Sequence, residues 1–328
     1  KTNLLEAVYV LATSRSFRTS RLAELVDAAG RTGSVRAEIR EDDERRQQSV
    51  GVRAGLRAVR VDGKRPETLA AYAVRTPVVA FHPGVVALTA GSGAERRKLL
   101  DRLALYLGPG SIADAAAYVK ASRGRQRALE ARGERASDVD GWEELMVRHG
   151  TALSRAREDA ASRLRVAAER AFERIGPPGS SLLARYERRS PADAEAFRAA
   201  LASSRAHDRL RGSASVGPHR DELVLELGGR PVRGFASQGQ HRAVVLSLEL
   251  AEIEVIAEAR GVWPILLLDD VSSELDEGRM RALLWALRTG RGQVILTTTR
   301  PDLIDTTDSF GVQDRRDFRV VAGRITPV

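Results

Sequence analysis

The chain of 328 residues is 43% hydrophobic and carries 53 Lys and Arg against 44 Asp and Glu, a net charge of +9, with no cysteine. That length and apolar content support substantial buried cores and two lobes. The missing thiols exclude disulfides, thiolate metal sites and cysteine nucleophiles and fit a reducing cytoplasm, and no apolar run reaches the roughly 18 residues of a membrane span.

The chain opens with Lys1-Thr2-Asn3 and a helix-like Leu4-Leu5-Glu6-Ala7-Val8. A glycine-rich phosphate loop ends in Gly-Lys-Ser/Thr and runs into a helix, its Lys reaching the β- and γ-phosphates and its hydroxyl reaching Mg²⁺. Lys1 and Thr2 match the last two positions of such a loop. Because the first residue is Lys rather than Met, the glycines and their strand are expected upstream. Strand-like runs follow around 34–40, 49–54 and 57–61, the last ended by the turn signal Asp62-Gly63. Pro77 to Phe81 reads as a buried strand leading to His82-Pro83, where the His could face a bound phosphate but, standing before Pro, equally suits a plain turn.

From about Ala94 to Leu210 the pattern is helical, with breaks at Gly108-Pro109-Gly110 and Gly176-Pro177-Pro178-Gly179. Leu145, His149, Leu153, Ala156, Ala160, Leu164, Ala167, Ala171 and Ile175 recur every three or four positions and define one apolar stripe. Its small residues suit close helix packing in a compact lobe rather than a long coiled coil, with Arg155, Arg163 and Arg170 on a solvated outer face. Trp142 and Trp263 read as core or interface aromatics.

A second strand-rich stretch begins near Ser213 and leads to Phe235-Ala-Ser237-Gln238-Gly239-Gln240 at the head of a long apolar-periodic helix. Such a turn offers free backbone N–H groups to an anion. The continuous apolar run Ile265 to Leu268 then reads as a parallel strand covered on both faces, ended by Asp269 and Asp270. There Asp269 can hold Mg²⁺, and Asp270 stands where a carboxylate orients water for attack on a γ-phosphoryl group. The run from Gln293 ends in Thr297-Thr298-Thr299, where transporter-type ABC proteins carry a γ-phosphate-contacting His; Thr298 and Thr299 are the switch candidates.

Lys1 to Ala7, Gly91-Ser-Gly-Ala-Glu-Arg-Arg-Lys-Leu-Leu-Asp101, Gly217-Pro-His-Arg-Asp221, Ser237 to Gln240, and Leu267-Leu-Asp-Asp-Val-Ser-Ser-Glu-Leu-Asp276 together resemble the RecF family of DNA replication, repair and recombination ATPases. The resemblance implies an α/β, ABC-type P-loop ATPase lobe with mixed sheets, interrupted by a compact helical lobe. Its expected boundaries are 1–85 for the first part of the ATPase lobe, 86–211 for the helical lobe and 212–328 for the second part.

It further implies ATP and Mg²⁺ as cofactors, with nucleotide on Lys1, Thr2 and Asn3, metal on Thr2 and Asp269, and Asp270 as the catalytic carboxylate. Ser237, Gln238, Gly239 and Gln240 would form a signature acting on the partner's nucleotide in an ATP-dependent homodimer, with Ser273, Glu274, Leu275 and Asp276 as the D-loop. His219 and Arg220 lie in a family motif whose role the sequence leaves open. The implied activity is a cytoplasmic, slow, DNA-dependent ATPase that clamps double-stranded DNA near single-strand/double-strand junctions and, with the partner RecR, helps load recombinase. Asp270 is one methylene shorter than the Glu usual at its position, which argues for slow turnover. A nucleotide-binding subunit of a transporter and a scaffold that binds ATP without turnover remain as rival classes.

Overall fold

The computed structural model describes residues 1–26, 32–41, 43–134, 137–270, 278–281, 283, 292–301, 315–321 and 323–328. In chain order its helices are α1 (Thr2–Thr13), α2 (Leu69–Ala73), α3 (Ala87–Ala90), α4 (Gly93–Leu107), α5 (Ser111–Arg132), α6 (Val139–Ile175), α7 (Ala194–Ser203), α8 (Arg205–Arg211), α9 (Val232–Phe235) and α10 (Gln238–Arg260). Its strands are β1 (Thr32–Glu41), β2 (Glu44–Arg53), β3 (Leu56–Val61), β4 (Val78–Phe81), β5 (Leu182–Glu187), β6 (Glu222–Leu227), β7 (Arg230–Pro231), β8 (Ile265–Asp269), β9 (Val294–Thr297), β10 (Phe318–Val321) and β11 (Arg324–Pro327). Lys1–Val85 with Gly261–Val328 form one compact unit, and Val86–Arg260 form another. Residues 212–260, which the sequence grouped with the chain's end, thus pack with the helical segment.

The first unit holds an antiparallel sheet, β1-β2-β3, and a parallel one, β4-β8-β9. The central strand β8 buries Leu266, Leu267 and Leu268, which explains its unbroken apolar run. Helix α1 serves both sheets: Val10 joins the core formed by Val50, Val52, Val59 and Tyr72, while Leu5 and Ala12 pack with Val78 and Leu267. The Asp62-Gly63 pair turns the chain with φ of 50° and 75°, closed by reciprocal hydrogen bonds between Val61 and Lys64, the conformation those two residue types tolerate best.

In the second unit α6 packs against α4, α5 and α10. Its buried face carries Met146, Leu153, Ala160, Leu164, Ala168 and Phe172, with Ala167 and Ala161 beside them. Leu145, expected in that stripe, points outward and is 39% exposed; the next residue, one helical step round, takes the inner position. The segment read as helical to Leu210 also contains β5, which pairs antiparallel with β6. Its alternation, Leu182 and Ala184 buried with Arg185 out, is a strand period set inside a helix-rich region.

Fully buried Arg125 is kept there by complete pairing: its guanidinium donates to Glu143, to Asp208 and to the Leu201 carbonyl. Trp142 is half-buried against two hydrophobic clusters, whereas Trp263 is 37% exposed.

Candidate nucleotide site

The first unit assembles its polar centre at the carboxyl edge of the β4-β8-β9 sheet, where open parallel sheets bind ligands. Asp269 closes β8 and is only 5% exposed. Its Oδ1 accepts two hydroxyl hydrogen bonds, from Thr2 Oγ1 at 3.0 Å and Thr297 Oγ1 at 2.9 Å. Thr2 is the first residue of α1, and Lys1, the N-cap, donates its Nζ to the Thr298 carbonyl. No side chain caps that end of α1 and no acidic residue sits in its first turn. Its leading N–H groups and the positive end of its dipole therefore face the same locality as Lys1.

Thr297 owes its place to register. As Cα partner of Asp269 across the parallel ladder, its hydroxyl donates to the Asp269 carboxylate and accepts the Asp270 N–H at 3.1 Å. Asp270 leaves the strand with φ of 50°, a left-handed turn that Asp tolerates better than most side chains. Thr297 was not among the residues singled out from sequence; the signal would have been parallel pairing of the apolar run from Val294 with that from Ile265. Of the two threonines that were, Thr298 lends its carbonyl to Lys1 and its hydroxyl to the Arg300 N–H, while Thr299 is exposed.

Asn3 is exposed and its Oδ1 accepts from Arg18, which also pairs with buried Glu6 at 3.1 Å. His82 stacks on Phe17 with centroids 4.8 Å apart, and its Nδ1 accepts the Gly84 N–H at 3.1 Å, the geometry of a turn residue. Thr2 and Asp269 bring two oxygen donors together, the hard ligand type Mg²⁺ prefers; such ions complete their octahedron with substrate phosphates and water.

Ser237 to Gln240 belong to the second unit and form a capping box at the head of α10. The Gln240 N–H donates to Ser237 Oγ at 3.2 Å and the Ser237 N–H donates to Gln240 Oε1 at 2.8 Å. This leaves the N–H groups of Gln238 and Gly239 as the orphan donors of the first turn, on an exposed rim beside Phe235, itself 69% exposed. The expected D-loop residues Ser273, Glu274, Leu275 and Asp276 lie outside the described residues.

The Gly217-Pro-His-Arg-Asp221 motif is a brace within the second unit. Buried Asp221 accepts from Ser154 at 2.9 Å, from the Arg189 N–H at 2.8 Å and from Tyr186, while its carbonyl accepts from Arg97 at 2.8 Å. Arg96 grips Glu222 with two nitrogens at 2.8 and 3.0 Å, and Arg157 joins Asp101 to the Pro218 carbonyl. His219 Nε2 lies 2.8 Å from the Ala214 carbonyl and must donate there, so Nδ1 accepts the Tyr118 hydroxyl at 2.7 Å. Burial first, then nearby Arg220 and Arg97, hold its pKa below the ordinary value and keep the ring neutral, against the opposing pull of that carbonyl bond. Gly217 carries φ of 137°, and a Cβ there would stand 2.1 Å from the Tyr118 hydroxyl. Arg220, by contrast, is exposed.

No protein-family model matches the chain. It is 40% identical over 337 residues to the DNA replication and repair protein RecF of Anaeromyxobacter sp. (strain Fw109-5), covering 100% of this chain and 90% of that protein. It superposes with a TM-score of 0.87 and 25% identity on a solved structure of the recombination mediator protein RecF with ATP in the RecFOR pathway, covering 100% of this chain and 88% of that one. An Smc head bound to the C-terminal winged-helix domain of ScpA shares the fold at a TM-score of 0.53 and 14% identity, covering 100% of this chain and 85% of that one.

Proposed function

The chain belongs to the RecF family and has the ABC-type ATPase fold, and on that premise we propose that it is an ATP-dependent DNA-binding recombination mediator whose slow hydrolysis acts as a release switch. The observation that carries this reading is the convergence of Thr2 and Thr297 on Asp269 at the edge of β8, beside Lys1 and the uncapped end of α1. Lys1 holds the β- and γ-phosphates. Thr2 and Asp269 hold Mg²⁺, which neutralises charge on the transferring phosphoryl group. Asp270 orients the attacking water, its backbone fixed by Thr297.

Ser237, Gln238, Gly239 and Gln240 act on the nucleotide of a second copy, so that ATP joins two chains. The exposure of Ser237 and Gln238 at a helix head supports the role, because orphan N–H groups at such an end attract phosphate oxygens. Two chains of net charge +9 then hold duplex DNA near junctions with single strands, and, together with RecR, assist recombinase loading until hydrolysis separates them.

ATP hydrolysis measured with and without duplex DNA, alongside the solution mass in ATP and in ADP, tests the reading. Turnover raised by duplex and a dimer present only with ATP are expected. Equal mass in both nucleotide states, with equal duplex affinity, would leave ATP nothing to control.

A further inference from the structure

The outward face of the β1-β2-β3 sheet carries five exposed arginines, Arg36, Arg40, Arg45, Arg53 and Arg60, against a single carboxylate, Glu38. Strand alternation and register put them on one side. Arg36, Ser49 and Arg60 are cross-strand partners in one row, as are Ser34, Gly51 and Ala58 in the next, and Arg40 stands opposite Arg45. The other side of the sheet is the one buried against α1 through Val50, Val52 and Val59.

What sets this face apart is the concentration of arginines on one flat surface. Several exposed arginines of the second unit are neutralised locally: Arg163 by Asp159, Arg170 by Glu254, Arg198 by Glu144 and Arg132 by Asp138. Among the five arginines of the outward face only Arg40 pairs with an acid among the described residues, Glu38 at 2.9 Å, and Arg60 reaches the Gly63 carbonyl. Arg36, Arg45 and Arg53 have no carboxylate within salt-bridge distance among the described residues. Like charges directly opposite on a sheet destabilise it by a few tenths of a kcal/mol or more, and a bound polyanion turns that repulsion into attraction. Strands about 4.8 Å apart and alternate residues about 6.7 Å apart make a flat cationic lattice. Its middle row is small, and a side chain at Gly51 would meet nothing within 4 Å. An open hollow of about 510 Å³ lies over Ser34, Gly51, Ala58 and Arg53, so a backbone can descend between the arginines.

We propose that this sheet face is the surface on which the protein holds the sugar–phosphate backbone of duplex DNA, an assignment that rests on the DNA-binding reading above and locates it. A flat array of guanidinium groups with no base-reading projection fits phosphates and carries little sequence preference.

Duplex binding by fluorescence anisotropy over a salt series, with ATP present, tests it. The parent is compared with Arg36→Gln/Arg53→Gln/Arg60→Gln, with Gly51→Glu, and with Arg163→Gln/Arg170→Gln on α6 as control. The triple variant should lose on the order of 10- to 100-fold in affinity near physiological salt and flatten the log–log salt slope by up to about 3. Gly51→Glu should weaken binding with no change in fold, and the α6 pair should bind as the parent does. Parent-like affinity and slope in the triple variant would overturn the surface while leaving the DNA-binding reading intact. Absence of duplex binding by the parent in any nucleotide state would overturn that reading and the surface with it. Loss of poly-glutamate binding by the triple variant with duplex binding retained would assign the face to an acidic protein and overturn the proposal.

Discussion

Thr297 Oγ1 donates to Asp269 Oδ1 at 2.9 Å while accepting the Asp270 N–H at 3.1 Å, so one hydroxyl sets both acidic residues at the end of β8. Thr297→Val keeps the shape but strands the N–H and removes one donor from the carboxylate, a loss of about 1–3 kcal/mol for buried groups. ATP turnover should fall by roughly 10-fold with KM for ATP nearly unchanged, and Thr297→Ser should restore it. A rise in KM at constant kcat would make Thr297 a binding residue instead of a positioning one.

Asp269 and Asp270 should separate cleanly. Asp269→Asn removes the charge that faces Thr2 and is expected to abolish Mg²⁺-dependent nucleotide binding or turnover. Asp270→Asn should keep nucleotide binding and hold the ATP dimer together, because only water activation is lost. Steady turnover of the Asp270 variant at the parent rate would remove its assignment.

Ser237 has two separable duties. As half of a capping box it stabilises the head of α10, and Ser237→Ala should lower unfolding stability by about 1 kcal/mol. Ser237→Arg adds bulk and charge to an exposed rim; ATP binding to the single chain should persist while ATP-dependent dimers vanish from light scattering. Dimers of normal affinity would refute a role in trans.

Glu249 gives the protein a pH signature. Complete burial, reinforced by the charge of nearby Glu252 and only partly offset by Arg102, raises its pKa well above 4.5. The folded chain therefore keeps a proton that the unfolded chain loses, and stability falls as pH rises from about 4.5 towards the folded value, at ~1.4 kcal/mol per pH unit. Glu249→Gln should raise Tm relative to the parent at pH 7 to 8, with the gain shrinking towards pH 4.5. A gain independent of pH would show that Glu249 is ionised in the fold.

Local chemistry made much of this legible. The apolar run ending in two carboxylates marked β8 because a strand covered on both faces must be apolar throughout and can place acids only at its end. Asp62-Gly63 marked its turn because both residues accept positive φ. What stayed hidden depends on distant pairing. Thr297 matters through its register with Asp269, and β5 forms because β6 offers it an edge. The sequence left the role of His219 open, and its setting, between Tyr118 and the Ala214 carbonyl with both ring nitrogens hydrogen-bonded, again depends on contacts between distant segments.

The bond between Thr2 and Asp269 spans 267 positions. At roughly 5–20 residues per second, a ribosome needs on the order of 15–50 seconds between making one end of that contact and the other. Once β4 has been made, and for the rest of that interval, α1 and β4 exist without the strand that joins them, so Leu5, Ala12 and Val78 lack Leu267, their partner in the finished core. Prematurely terminated chains ending before β8 therefore carry the sticky apolar face but not the nucleotide site, and become natural clients for chaperone capture and proteolysis.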